Sequence, residues 1–138
     1  MRNNLTAFVD TSFFKAIIDP KDDFHQDAKK IEQKINDEQI SLITSNYVLD
    51  ESFTLIRKRC GLKVVDEFRR YLATIAVILK IIRVTVTDEA GAWDFFLKDW
   101  SGLSFTDCVS FAMMKRLDIK IAVSFDNHFE RAGYKLIS

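Results

Sequence analysis

Apolar residues along this chain fall into two kinds of run. Some stretches are short and unbroken, such as Leu-Thr-Ala-Phe-Val at residues 5–9; in others apolar residues recur every third or fourth position. The first kind predicts buried strands and the second predicts amphipathic helices. The series opens with a strand over residues 5–9 and a short helix over 10–18, with Phe13, Phe14, Ile17 and Ile18 on one side. Asp19-Pro20 breaks that helix. A second helix, capped by Asp22 or Asp23, runs to Asp37 with Phe24, Ala28, Ile31 and Ile35 in helical spacing. A strand over 40–44 follows. Ser45 or Asn46 then caps a helix that ends at Cys60, where Gly61 is a natural stop. Residues 62–79 read as a helix and 81–86, rich in β-branched residues, as a strand. Thr87 or Asp88 caps a helix through Trp93 and Leu97. Ser104 begins another that ends near Leu117. Strands over 119–124 and 134–137 complete the set.

Strands alternating with helices predict parallel β-α-β units. Continuous apolar strands are those covered by helices on both faces. The 138 residues fit one domain spanning 1–138, and a chain of this length buries roughly two-thirds of its unfolded surface. One proline and four glycines leave little room for linkers, and there are no internal repeats.

Charge narrows the function classes. Twenty basic and twenty acidic residues cancel, which argues against broad, unassisted binding to polyanions but allows a local basic groove. Cys60 and Cys108 lie far apart and form no CxxC pair, so they read as reduced, buried thiols of a cytoplasmic protein rather than zinc or redox ligands. Asp10 interrupts any secretory apolar segment. The longest apolar stretch, 72–79, is too short to span a bilayer.

Four acids stand out by position, and each has an ordinary reading beside the chemical one. Asp10 ends the first strand, where open α/β sheets place their chemistry, but Asp is also a favoured helix N-cap. Glu51 falls beside Val48 and Leu55 at the edge of its helix's apolar stripe, while Asp50 points outward; the ordinary reading is a solvated acid. Asp107 sits in Ser-Phe-Thr-Asp, an arrangement like a capping box. Asp126, in Ser-Phe-Asp-Asn, follows the fourth strand, where an Asx turn is the ordinary reading. Together the four are more specific than any one. Close carboxylates repel and raise each other's pKa. A hard divalent cation removes that conflict, and an oxygen-only donor set favours Mg2+ or Mn2+ over Zn2+.

Phe-Val-Asp-Thr-Ser at residues 8–12, the acid in the helix after the second strand, Ser-Phe-Thr-Asp at 104–107 and Val-Ser-Phe-Asp-Asn-His-Phe at 123–129 resemble a PIN domain. The resemblance covers nearly the whole chain, and its closing segment is the most specific part. It implies a three-layer α/β/α sandwich with a central, mostly parallel sheet of four to five strands. It also implies a Mg2+- or Mn2+-dependent ribonuclease, in the manner of the VapC-type toxins of toxin–antitoxin pairs. Carried over to this chain, Asp10, Asp107 and Asp126 hold the metal and Glu51 completes the shell or orients the attacking water. Ser12 and Ser124 bond to carboxylates or to the substrate phosphate. The implied partners are RNA and an antitoxin. A homodimer is expected as well, since a chain with no net charge steers RNA weakly on its own.

Lys58 shares Glu51's helix edge within the basic run Arg57-Lys58-Arg59, where it can guide a phosphate or simply be solvated. His25 and His128 read as packing or surface residues. Trp93 and Trp100 flank a loop over 98–103 and read as packing residues that can also stack bases. The alternative from another class is a PIN fold that binds RNA or protein without cutting. A phosphoaccepting receiver domain fits worse, because no second acid adjoins Asp10.

Overall fold

A computed structural model describes residues 5–137. Five strands form one parallel sheet in the order β3-β2-β1-β4-β5. They are β1 (Thr6–Val9), β2 (Ser41–Ser45), β3 (Leu79–Ile82), β4 (Ile121–Val123) and β5 (Lys135–Leu136). The strands are all parallel rather than mostly so. β1 lies at the centre, and Ala7, Phe8 and Val9 are fully buried. Its unbroken apolar run follows from burial on both faces.

Helices α1 (Thr11–Ile18), α2 (His25–Glu38), α3 (Asn46–Cys60) and α4 (Leu62–Thr74) connect β1 to β2 and β2 to β3. Helices α5 (Val86–Phe96) and α6 (Phe105–Arg116) carry the chain back across the sheet to β4, and α7 (His128–Arg131) leads to β5. Parallel crossovers are right-handed, so opposite directions of travel put these two groups of helices on opposite faces. The outcome is the three-layer sandwich. Phenylalanines pack the helices within each layer: Phe14 of α1 on Phe68 of α4 at 5.3 Å between ring centroids, and Phe111 of α6 on Phe129 of α7 at 4.9 Å. Cys108 is buried, Cys60 is half-buried, and both are free. Among the described residues no helix is long and apolar enough to cross a membrane.

Chain travel reverses between β1 and β4, which makes their carboxyl ends a topological switch point, the usual crevice for ligands in open α/β sheets. Register sets what meets there. Val9 pairs with Val123, so the next residues, Asp10 and Ser124, are neighbours.

Three boundaries differ from the pattern reading. Helix α4 stops at Thr74, five residues short of the expected end, and Ile78 and Leu79 donate their N–H groups back to Ile75 O, which turns the chain into β3 at Leu79, two residues early. Leu72 to Val84 is almost unbroken in apolar character, so periodicity gave no sign of that turn. Thr85, not Thr87 or Asp88, caps α5, and Asp88 is its N3 partner. Helix α2 has no side-chain cap; Asp22 instead accepts the Phe24 N–H at 2.8 Å. Ser45 caps α3, and Asn46 accepts the Val84 N–H. The single turn α7 had no periodic signal to find.

Candidate active site

Asp10 is the N-cap of α1, and one of its oxygens does all the capping. Oδ2 accepts from the Ser12 N–H at 3.3 Å, from Ser12 Oγ at 2.9 Å and from Ser124 Oγ at 3.0 Å. Each hydroxyl has one proton, so with both spent on Oδ2 the 3.1 Å contact between the two serines is a packing contact. The serines also accept from backbone: Ser12 Oγ from the Phe125 N–H and Ser124 Oγ from the Asp126 N–H, both at 2.9 Å. This network fastens the start of α1 to the loop after β4. Asp10 Oδ1 is buried and has no hydrogen-bond partner among the described residues. Burial raises the pKa of Asp10, and the Ser12 and Ser124 hydrogen bonds only partly offset it.

Asp107 is the N3 residue of α6. It closes a capping box with Ser104, whose hydroxyl accepts the Asp107 N–H at 3.0 Å while Asp107 Oδ2 accepts the Ser104 N–H at 3.2 Å. The cap and the acidic cluster are therefore one structure. Burial, then the negative charge of Asp10, and further those of Asp126 and Glu51, push the Asp107 carboxyl up to about 7, against the Ser104 N–H. A cation bound beside a buried acid surrounded by acids would relieve their repulsion.

Asp126 makes the Asx-type contact that its sequence context suggests, accepting the His128 N–H at 2.9 Å through Oδ1. It is half-buried and keeps a face toward the cleft. Glu51 also lines the cleft, beside Leu55, while Asp50 is exposed. The cleft has a volume of about 850 Å³, and all four acids, Ser12 and Lys15 are among its lining residues. A second cleft of about 860 Å³ opens near the amino ends of β1, β2 and β3, but among the described residues its only charged lining residue is Lys80. Volume does not separate the two clefts; chemistry does.

Ligand atoms of Asp107, Asp126 and His128 all lie within 4.8 Å of one another. Together with the unpartnered Asp10 Oδ1 this donor set fits a divalent cation, which would bring a counter-charge to acids that have none. The histidine adds a nitrogen to what the sequence suggested was an oxygen-only set. Its position two residues past Asp126 was the available signal. Lys15 was also passed over; it is held by Asp19 at 2.7 Å and Asp22 at 3.0 Å.

A family model described as the PIN domain matches residues 7–135. The chain belongs to the PIN domain family. Among curated PIN-type relatives, the 23S rRNA-specific endonuclease VapC20 of Mycobacterium tuberculosis is 34% identical over 132 residues, covering 92% of this chain and 94% of the relative. The crystal structure of M. tuberculosis VapC20, titled a Sarcin-Ricin loop cleaving toxin, superposes with a TM-score of 0.81 at 32% identity, covering 93% of this chain and 95% of the other. VapBC2 from Rickettsia felis, bound to a DNA fragment from its promoter, shares the fold with a TM-score of 0.67 at 13% identity, covering 96% and 98%.

Within this PIN fold the remaining candidates separate by place. Lys58 is exposed and is not among the residues lining the cleft. Trp93 lies on α5, half exposed, against Phe96 and Phe105. Trp100 is at the site's rim, stacked parallel to the His128 ring. His25 is buried, with Nδ1 2.7 Å from the Ala16 carbonyl.

Proposed function

We propose that this protein is a metal-dependent endoribonuclease that hydrolyses RNA phosphodiester bonds and serves as the toxin of a toxin–antitoxin pair. The observation that carries the reading is the buried, unpartnered Oδ1 of Asp10 in a cleft shared with Asp107, Asp126 and Glu51. The relative named as a 23S rRNA-specific endonuclease, similar over nearly the full length of both chains, supports RNA as the substrate class.

Asp10, Asp107 and Asp126 would hold Mg2+ or Mn2+, directly or through water. Bound there, such a cation supplies a more acidic water and positive charge against the phosphate. The chain's own groups do the rest. Ser12 and Ser124 fix the Asp10 rotamer through Oδ2 and leave Oδ1 free. The Ser104 N–H holds Asp107, so that carboxylate needs no reorientation on binding. Glu51, which lines the same cleft, orients the attacking water. Ser12 and Ser124 have their protons committed to Asp10, so they position that carboxylate rather than the phosphate. A role in binding without cleavage has no use for a buried carboxylate oxygen kept unpartnered among like charges.

The chain acts as one domain. Antitoxin binding, homodimer formation and work in the cytoplasm, where its two free cysteines stay reduced, complete the reading. The test is incubation of the purified protein with ribosomal RNA plus Mg2+ or Mn2+, then with EDTA. Cleavage that stops in EDTA and is absent from Asp10→Asn protein is the expected result. Cleavage that persists in EDTA overturns the mechanism.

A further inference from the structure

We infer that His128 is an additional ligand of the cation site, its Nδ1 binding the same ion as Asp107 and Asp126, and that this nitrogen tilts the site toward Mn2+ and away from Mg2+. The inference deepens the nuclease reading and rests on it only for the presence of a cation in the cleft.

The ring's tautomer is fixed by its partner. His128 Nε2 lies 2.8 Å from the carbonyl oxygen of Ser101. A carbonyl can only accept, so Nε2 carries the proton and the lone pair of the neutral ring is on Nδ1. Metal-binding histidines use this arrangement: the far ring N–H donates to a backbone carbonyl or carboxylate, which sets the ring's orientation and raises the basicity of the other nitrogen. The Ser101 carbonyl is presented by a turn through Gly102 at φ 73, a conformation that favours glycine. Trp100 stacks parallel to the ring, 6.3 Å between centroids and 3° between planes. The ring is therefore held by its N–H on one side and by an indole along its face.

Nδ1 is buried and makes no hydrogen bond among the described residues. It nevertheless stands 2.9 Å from Asp126 Oδ1. The separation suits an ion pair when the ring is protonated, but the alignment is not that of a hydrogen bond. A neutral nitrogen lone pair this close to a carboxylate oxygen repels it. A shared cation turns that conflict into a ligand pair, since neighbouring ligands of an octahedral ion at about 2.1 Å stand about 3 Å apart. The buried Asp10 Oδ1, with no hydrogen-bond partner among the described residues, is a second, independent acceptor for a cation in the same cleft. Mg2+ prefers oxygen, and affinity for nitrogen donors rises along the first-row transition ions; of the two ions that the oxygen-rich donor set suits, Mn2+ is the transition ion and accepts an added imidazole more readily.

The test reads metal binding without RNA. Full-length protein is loaded with Mn2+ and studied by electron spin echo spectroscopy, once at natural abundance and once with 15N-histidine. The expected result is the coupling of a directly bound imidazole nitrogen that changes on 15N labelling; this arm needs no substitution. In parallel, Mn2+ and Mg2+ affinities are measured for wild type, His128→Ala and His128→Gln, with thermal melts to confirm folding. The variants should lose about tenfold or more in Mn2+ affinity, with a clearly smaller loss for Mg2+. Bound Mn2+ with no nitrogen coupling, or variants that hold Mn2+ as tightly as wild type, overturns the assignment. So does the absence of Mn2+ binding. RNA cleavage run on the same wild-type samples keeps the two readings apart. Cleavage with bound Mn2+ but no nitrogen coupling defeats only the histidine assignment, and nitrogen coupling without cleavage defeats only the ribonuclease.

Discussion

Asp88 and Asp107 occupy the same local position on two packed helices. Each is the N3 residue of its helix, each closes a capping box, with Thr85 and Ser104 respectively, and they are only 1% and 6% exposed. What folds against them is opposite. Asp88 receives Arg116 in a two-pronged pair at 2.7 and 2.8 Å. Burial raises the pKa of Asp88, but the guanidinium and the Thr85 cap outweigh it and leave the carboxyl below its usual range. Asp107 is also penalised by burial, but its charged neighbours are acids, and it rises to about 7. A capping motif does not distinguish a structural acid from a chemical one. The charge of the tertiary neighbour does.

The sharpest way to break this comparison is activity. Asp107→Asn should lower RNA cleavage by at least a hundredfold while leaving the protein folded, since Asn can still accept the Ser104 N–H. Asp88→Asn should leave cleavage within a few-fold at a temperature where it is folded. Rates on a defined rRNA fragment check both, and equal losses would erase the distinction. On the wall of the same cleft, Glu51→Gln should lower the rate at least tenfold and Asp50→Asn hardly at all, by the same assay.

Stability should move the other way. Asp88→Asn leaves Arg116 without its buried partner. Because that guanidinium is about one-third exposed and screened, a loss of about 2 kcal/mol is expected in denaturant unfolding. Asp107→Asn should raise the melting temperature of metal-free protein, because it removes an uncompensated charge. At a hundredfold excess over Kd, Mn2+ should stabilise wild type and Asp88→Asn by about 2.7 kcal/mol. Asp107→Asn should lose most of that gain. Equal metal shifts in all three proteins would remove Asp107 from the site.

The smallest expected effect is in pH dependence, and its signs are opposite for the two acids. The folded pKa of Asp107, about 7, is above its ordinary value of 3.8. In EDTA its contribution to stability is therefore full below pH 3.8 and lost as pH rises through 7. The folded pKa of Asp88 is depressed. Its contribution is present above pH 3.8 and disappears as pH falls through the folded value. Melts of metal-free wild type and Asp107→Asn from pH 4 to 8 check the first; a decline of the same size in both proteins would refute it.

The same contrast shows what could be read in the chain. Strands β1, β2 and β4 were legible because burial on both faces of a parallel sheet leaves an unbroken apolar run. Helices α1, α3 and α6 were legible because their cap residues and apolar spacing agree. The family was legible from short motifs around Asp10, Asp107 and Asp126, which keep local geometry and chemistry together. The turn at Ile75 to Ile78 was not legible, since apolar residues continue through it and nothing local marks the change of period. His128 was passed over because its ring is held by Ser101 and Trp100, residues nearly thirty positions away.

By itself, then, the sequence determined the alternation of strands and longer helices, that Asp10 and Asp126 follow strands, that Asp107 closes a cap with Ser104, and the family. Those are consequences of periodicity and of hydrogen bonds reaching three or four residues. Only the tertiary structure decided which capped acid meets an arginine and which meets other acids, that Asp10 keeps one oxygen unpartnered, and that a histidine nitrogen joins the cluster. Charge interactions and burial act through space across the crossover connections of a parallel sheet, and the linear pattern does not encode those distances.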